Sequence, residues 1–230
     1  MHQRSKKNLS LFSKLSGAVF CAPGGAFAWL GCLLIGLALT FTLSCVTRPD
    51  WYFGVGGNYN RAETEILRGR AADLDKAIVS LQAVVQEDPT YRNSLTLLGE
   101  AYYRKKKYAE AYAIIQRALA VNKDDEIAWL IFGLAQVRLG EHAKGIETIK
   151  GGLTLLAKAM GRDYRDYPNW DPRGRVHGAL NRAVFQALKG SDGRENLVRS
   201  TELLLDRINE EEWYQRRGQI TDRVESGSDN

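Results

Sequence analysis

The chain has 230 residues, of which 44% are hydrophobic, 26% charged and 10% aromatic, a composition that excludes wholesale disorder and leaves room for one large domain or two small ones. Its net charge of +5 is uneven: Arg4, Lys6, Lys7 and Lys14 are the only charged side chains before Arg48, and the other 28 basic residues face all 27 acidic ones. A nearly neutral body lacks the footprint that phosphate binding requires, so no nucleic-acid partner is expected.

An uncharged run of 33 residues extends from Leu15 to Thr47. Pro23-Gly24-Gly25 interrupts it and leaves Ala26 to Val46, which as a helix would span roughly 30 Å, the thickness of the hydrocarbon layer. Residues 1–46 are therefore expected to be a signal peptide or a transmembrane anchor. The basic residues ahead of the span keep the N-terminus in the cytoplasm and send the body across, with Trp51-Tyr52-Phe53 suited to the membrane–water interface. Leu43-Ser44-Cys45 resembles the lipobox of bacterial lipoproteins, and that resemblance implies Cys45 as the lipidated first residue of a mature chain. Thr42 and Leu43 differ from the residues that family usually places there, and the stretch before Cys45 is long for a signal peptide, so a retained single span stays open beside it. Both readings tether the body on the periplasmic side, as an outer-membrane lipoprotein or on an inner-membrane span. Cys21, Cys32 and Cys45 all lie in this region, so no disulfide framework and no cysteine-built metal site is expected in the body.

Residues 47–57, with Gly54-Val55-Gly56-Gly57, read as a linker. After it, residues 58–157 repeat with a period of 34. Leu95, Leu98 and Gly99 align with Trp129, Phe132 and Gly133; Ala111, Ile115 and Ala118 align with Gly145, Ile149 and Gly152. One period earlier stand Ala77, Leu81 and Val84, with Pro89 closing that unit. The pattern resembles the tetratricopeptide repeat, a helix–turn–helix unit, over three units, the first of which departs in its opening helix at Thr64, Glu65 and Arg68. The resemblance implies an all-α solenoid of helical hairpins. Gly99 and Gly133 fall where the helices of a unit cross, facing Ala111 and Gly145, while Leu98, Tyr102 and Phe132 fill the grooves between neighbours. Lys105-Lys106-Lys107 reads as a solvated turn.

The resemblance also implies a partner-binding inner face, lined by the first helix of each unit. The candidate residues are Asn93, Thr96, Glu100, Tyr103 and Arg104 in the middle unit, and Ile127, Leu130, Leu134, Val137 and Arg138 in the third. From Ile127 to Val137 the sequence is apolar nearly all round, which demands cover on every side. Either the chain's own later helices or an apolar partner segment supplies that cover.

Residues 158–173 read as a loop rich in Asp, Tyr and Pro whose carboxylates lack calcium-loop spacing. Residues 174–225 read as a non-consensus helical pair: Val176, Leu180, Val184, Ala187 and Leu188 form one stripe, and Leu197, Thr201, Leu204, Leu205 and Ile208 another. Asp192 and Glu195 form a candidate capping box, and residues 226–230 a polar tail. His142 lies near an expected inter-helix turn and His177 at a helix start, with no nucleophile at a suggestive spacing. No catalytic residue, cofactor or metal ligand is expected. The function the residues point to is a non-catalytic scaffold for protein components of an envelope complex. A built-in subunit of one assembly, or a ligand-binding protein or enzyme using residues 161–172, stands as the alternative.

Overall fold

The computed structural model describes residues 54–161, 164–167, 169–189 and 193–227, all within the compact unit Pro49–Asn230. The expected anchor, Cys45 and Asp192 lie outside the described residues. Those residues form eight α-helices and no strand. In chain order they are α1 (Gly54–Leu67), α2 (Leu74–Glu87), α3 (Ser94–Arg104), α4 (Tyr108–Val121), α5 (Glu126–Arg138), α6 (His142–Ala159), α7 (Arg175–Leu188) and α8 (Arg194–Gly227).

Local chemistry sets the boundaries. Asp73 caps α2 by accepting from the Lys76 amide at 3.2 Å, and Asp125 caps α5 by accepting from the Ala128 amide at 2.9 Å, each satisfying an orphan donor of a first turn. The α5–α6 turn passes through Gly140 at φ 94°, a backbone region that a β-carbon disfavours.

α1 with α2, α3 with α4, and α5 with α6 form three successive hairpins, and each hairpin packs on the next. A β-carbon on Gly133 would lie 2.8 Å from the Gly145 carbonyl oxygen, and one on Gly145 would lie 2.7 Å from that of Gly133. The α5–α6 crossing is thus backbone against backbone. At the α3–α4 crossing a β-carbon on Gly99 would instead meet the Ile115 side chain, with Cγ1 at 2.5 Å. Around these crossings runs one continuous core, in which Ile66, Leu81, Leu98, Ile115, Leu130, Ile131, Leu134, Ile149 and Leu156 are fully buried. Each such side chain contributes about 1.5–3 kcal/mol relative to exposure.

The structure differs from the sequence reading at one place and fills it in at two others. Gly54–Gly57, read as linker, is the first turn of α1, because Val55, Gly57 and Tyr59 pack inward and tertiary burial outweighs the low helix propensity of glycine. The loop after α6 folds back on the solenoid: Tyr164, Tyr167 and Trp170 are buried, the first two rings 5.1 and 5.9 Å from Trp170. The last helix runs on past the apolar stripe that ends at Ile208, unbroken for 34 residues, to Gly227.

Candidate functional site

The inner face is built by α1, α3 and α5, the first helices of the three hairpins, and the expected residues do assemble on it. Thr96, Glu100, Tyr103, Ile127, Leu130, Leu134 and Val137 are buried, and Asn93, Arg104 and Arg138 are half-buried. What covers them is the chain itself. α8 lies over the face, and residues 164–167 close one end of it.

Three polar clusters fasten α8. At one end the Tyr103 hydroxyl donates to Glu202 at 2.5 Å, and Arg138 donates to the same carboxylate at 3.0 Å. In the middle Asn209 donates to Glu100 at 2.7 Å, with the Arg104 guanidinium 3.6 Å from that carboxylate. Arg104 itself donates to the Ile66 carbonyl at 2.9 Å and to that of Gly69, tying α3 to the first hairpin. At the far end Arg216 bridges Glu63 of α1 at 2.6 Å and Glu212 at 3.1 Å, and donates to the Tyr167 hydroxyl at 3.0 Å. Arg165 closes the cluster on Glu212 at 2.5 Å. Beyond it the Tyr164 hydroxyl donates to Glu126.

Electrostatics follows burial. Burial pushes the Glu100 carboxyl above its ordinary value, against the opposing pull of Arg104 and the Asn209 hydrogen bond. Tyr103 and Tyr59 are pushed up first by burial and then by the neighbouring carboxylates Glu202 and Glu63. For Asp171 burial acts upward, but the His177 amide at 2.8 Å and its ring Nδ1 at 2.7 Å outweigh it and hold the carboxyl below its usual range. That carboxylate caps α7.

The fit is tight. Thr96, Glu100, Ile127, Leu205, Ile208 and Asn209 surround a void of about 10 Å³, barely the space of one water. Pulling α8 away would expose Leu197, Leu204, Leu205 and Ile208, all buried, at about 6–12 kcal/mol together, and would strand Glu63 without Arg216 and Arg165 without Glu212. A peptide of micromolar affinity brings about 8 kcal/mol, which the apolar term alone can offset before the stranded ion pairs are counted. The inner face therefore holds a resident helix, not an open groove. Among the described residues no helix is long and apolar enough to cross a membrane, and no group of three or more His, Cys, Asp and Glu side chains converges for a metal ion.

The polar anchors Glu63, Arg165, Glu202, Asn209, Glu212 and Arg216 were not among the residues singled out from sequence. A signal for four of them existed. Glu202, Leu205, Asn209, Glu212 and Arg216 recur at helical spacing and form one stripe, interleaved with the apolar residues that end at Ile208.

Stacked helical hairpins with small residues at their crossings and a lined inner face define a helical-repeat scaffold. Residues 70–137 match the tetratricopeptide repeat family, and over that span the chain is a tetratricopeptide-repeat protein, a class built for protein–protein interaction. The match begins after α1, where Thr64, Glu65 and Arg68 depart from the pattern. The chain is similar to Superkiller protein 3 of Schizosaccharomyces pombe, 26% identical over 103 residues, or 45% of this chain and 7% of that protein. It is also similar to ALBINO3-like protein 3, mitochondrial, of Arabidopsis thaliana, 25% identical over 131 residues, or 52% of this chain and 21% of that protein. The match thus spans less than a quarter of either relative.

Proposed function

We propose that this protein is a non-catalytic, membrane-tethered scaffold that positions protein components of an envelope complex on the periplasmic side. The observation that supports the reading is the three-hairpin stack, whose residues 70–137 match the tetratricopeptide repeat, a unit that mediates protein–protein interaction. The tether rests on the sequence: an apolar run from Ala26 to Val46 behind four basic residues, ending either in a lipid on Cys45 or in a retained span. Because α8 fills the inner face, partners meet a preassembled block and dock on its outer surfaces. Asn93, Thr96, Glu100, Tyr103 and Arg104, with Ile127, Leu130, Leu134, Val137 and Arg138, then act by seating α8 and fixing the curvature that those surfaces present. The same filled face favours, as a second reading, a permanent subunit of one assembly.

The test is native-gel separation of detergent-solubilised membranes, with mass spectrometry of the co-migrating species and of the mature N-terminus. The scaffold reading expects the chain in the membrane fraction with a stoichiometric protein partner. It expects an N-terminus at acylated Cys45 or one that retains residues 26–46. A chain that is soluble, or that migrates alone, refutes it.

A further inference from the structure

At the C-terminal end of the solenoid, α6 is the second helix of the third hairpin. In the two earlier hairpins the corresponding helices, α2 and α4, are covered by the first helix of the next unit, whereas α7 covers α6 more sparsely. The incomplete cover leaves a recess of about 190 Å³ lined by Lys150, Leu153, Thr154, Val184, Ala187 and Leu188. Ligand sites run to about 300–1,000 Å³, so this one is sized for a side-chain knob, not a small molecule. α7 buries Val176, Ala179, Leu180, Ala183 and Ala187 on its inner side, yet it carries a second apolar strip outward, with Phe185 56% and Leu188 81% exposed.

Charge identifies the occupant. Residues 148–161 and 174–189 contain no Asp or Glu but carry Lys150, Lys158, Arg175, Arg182 and Lys189. Arg175 is turned to Glu210 at 2.8 Å and Lys150 to Glu147 at 2.8 Å. Lys158 and Arg182 are exposed with no carboxylate partner among the described residues, and the Lys189 ammonium lies 4.6 Å from the Phe185 ring centroid. On α7 Arg182, Phe185 and Lys189 share one face, as do Lys150, Thr154 and Lys158 on α6. An apolar recess on an edge whose two helices carry exposed cations and, over these stretches, no carboxylate repels a second copy of itself and matches a helix with an apolar knob and acidic flanks. Its recessed floor, formed by the buried Leu153 and Ala187, suits a helix knob better than a lipid surface.

We infer that the α6–α7 edge, centred on Phe185 and Leu188 and rimmed by Lys158, Arg182 and Lys189, docks an acidic amphipathic helix of a partner protein, extending the stack by one helix. This rests on the scaffold reading and assigns it a surface. The test uses the full chain in phosphatidylcholine nanodiscs, so that any membrane tether is identical in every variant. The probe is a fluorescein-labelled 18-mer amphipathic helix with a leucine stripe flanked by glutamates, read by anisotropy.

The expected result is saturable binding that Leu188→Asp weakens about tenfold, the size of one lost apolar anchor. The Arg182→Glu/Lys189→Glu pair weakens it similarly and transfers preference to a lysine-flanked version of the probe. These residues are exposed, and an unchanged circular-dichroism spectrum confirms the fold in each variant. No binding, or equal affinity across the variants, overturns the inference. So does binding of this face to phosphatidylglycerol vesicles in place of the probe, or a concentration-dependent dimer abolished by Leu188→Asp. In native membranes, a complex that persists in both variants removes this docking site and leaves the scaffold reading standing. Absence of any complex in the wild type removes the scaffold reading itself.

Discussion

Replacing Gly133 by alanine tests the claim that the third hairpin is held by direct backbone contact. The new methyl group would meet three atoms at once: the Gly145 carbonyl oxygen at 2.8 Å, the Ile149 amide nitrogen at 2.8 Å and Ile149 Cγ1 at 2.7 Å. Two of these are backbone atoms, so no rotamer change relieves the clash, and α5 and α6 must separate by several tenths of an ångström along the best-packed seam of the solenoid. Overpacking costs about 1–3 kcal/mol and more when the backbone must move, against a gain of about 1 kcal/mol in helix propensity. With the backbone shift placing the cost at about 3–4 kcal/mol, a net loss of about 2–3 kcal/mol follows, or roughly 4–12 °C in Tm for a domain of this size.

Gly99→Ala is the control. Its methyl group meets Ile115 Cγ1 at 2.5 Å, a closer approach, but the nearest backbone atom is the Ala111 oxygen at 3.7 Å. Ile115 can move at a cost that propensity partly offsets, leaving a loss of about 0–2 kcal/mol. Urea and thermal unfolding of both variants, followed by circular dichroism, decide the matter. The Gly133→Ala/Gly145→Ala double variant should lose less than the sum of its parts, because each change opens the same seam. If Gly99→Ala proves as damaging as Gly133→Ala, closest distance governs and the distinction between backbone and side-chain contact is refuted.

Further outcomes concern the polar clusters beneath α8. Arg216→Leu leaves Glu63 and Glu212 buried without their shared cation, for which a loss of about 3–5 kcal/mol is expected by urea unfolding; adding Glu63→Gln should recover part of it. Glu100→Gln tests the buried carboxyl. Its folded pKa is raised by burial, so its stabilising contribution is fully present below the unfolded value and is lost as pH rises through the folded one. The variant should therefore gain on the wild type as pH rises above the ordinary carboxylate range, and a pH-independent difference in urea midpoint would refute the burial argument. Asp171 has the opposite sign. Its folded pKa is depressed, so the stability it provides exists above the unfolded value and is lost as pH falls through the folded one; Asp171→Ala should cost about 1–2 kcal/mol near neutral pH and flatten that acid limb.

Much of the fold was legible because it is local and repeated. Gly99 and Gly133 stand 34 residues apart, and each meets its partner helix within the same hairpin, so spacing alone shows the crossing. The apolar run from Ile127 to Val137 likewise announced a helix covered on all sides. The identity of the cover was not legible in the same way. It depends on pairs such as Glu100 with Asn209 and Glu63 with Arg216, which lie 109 and 153 residues apart and share no repeat register. A charged residue on a helix reads as solvated unless its partner is already known. The loop aromatics were ambiguous for a related reason, since Tyr164 finds its partner in Glu126 of α5 and Tyr167 in Arg216 of α8, both far away in sequence.

A resident helix on the inner face changes what a tetratricopeptide stack can do. An open stack recognises a passing segment, and its affinity is reduced by whatever ordering the segment and the groove undergo on contact. Here the ordering is complete before any partner arrives, because Arg216, Asn209 and Glu202 hold α8 from α1, α3 and α5 together. Three hairpins that would otherwise flex at their interfaces become one block with a set curvature. Rigidity moves the recognition task from the groove to the ends and edges, where the next helix in the stack is missing. The C-terminal edge is such a place. There, Leu188 stands exposed beside a recess of the size of a side-chain knob, and a helix of a partner would continue the stack where the chain leaves off.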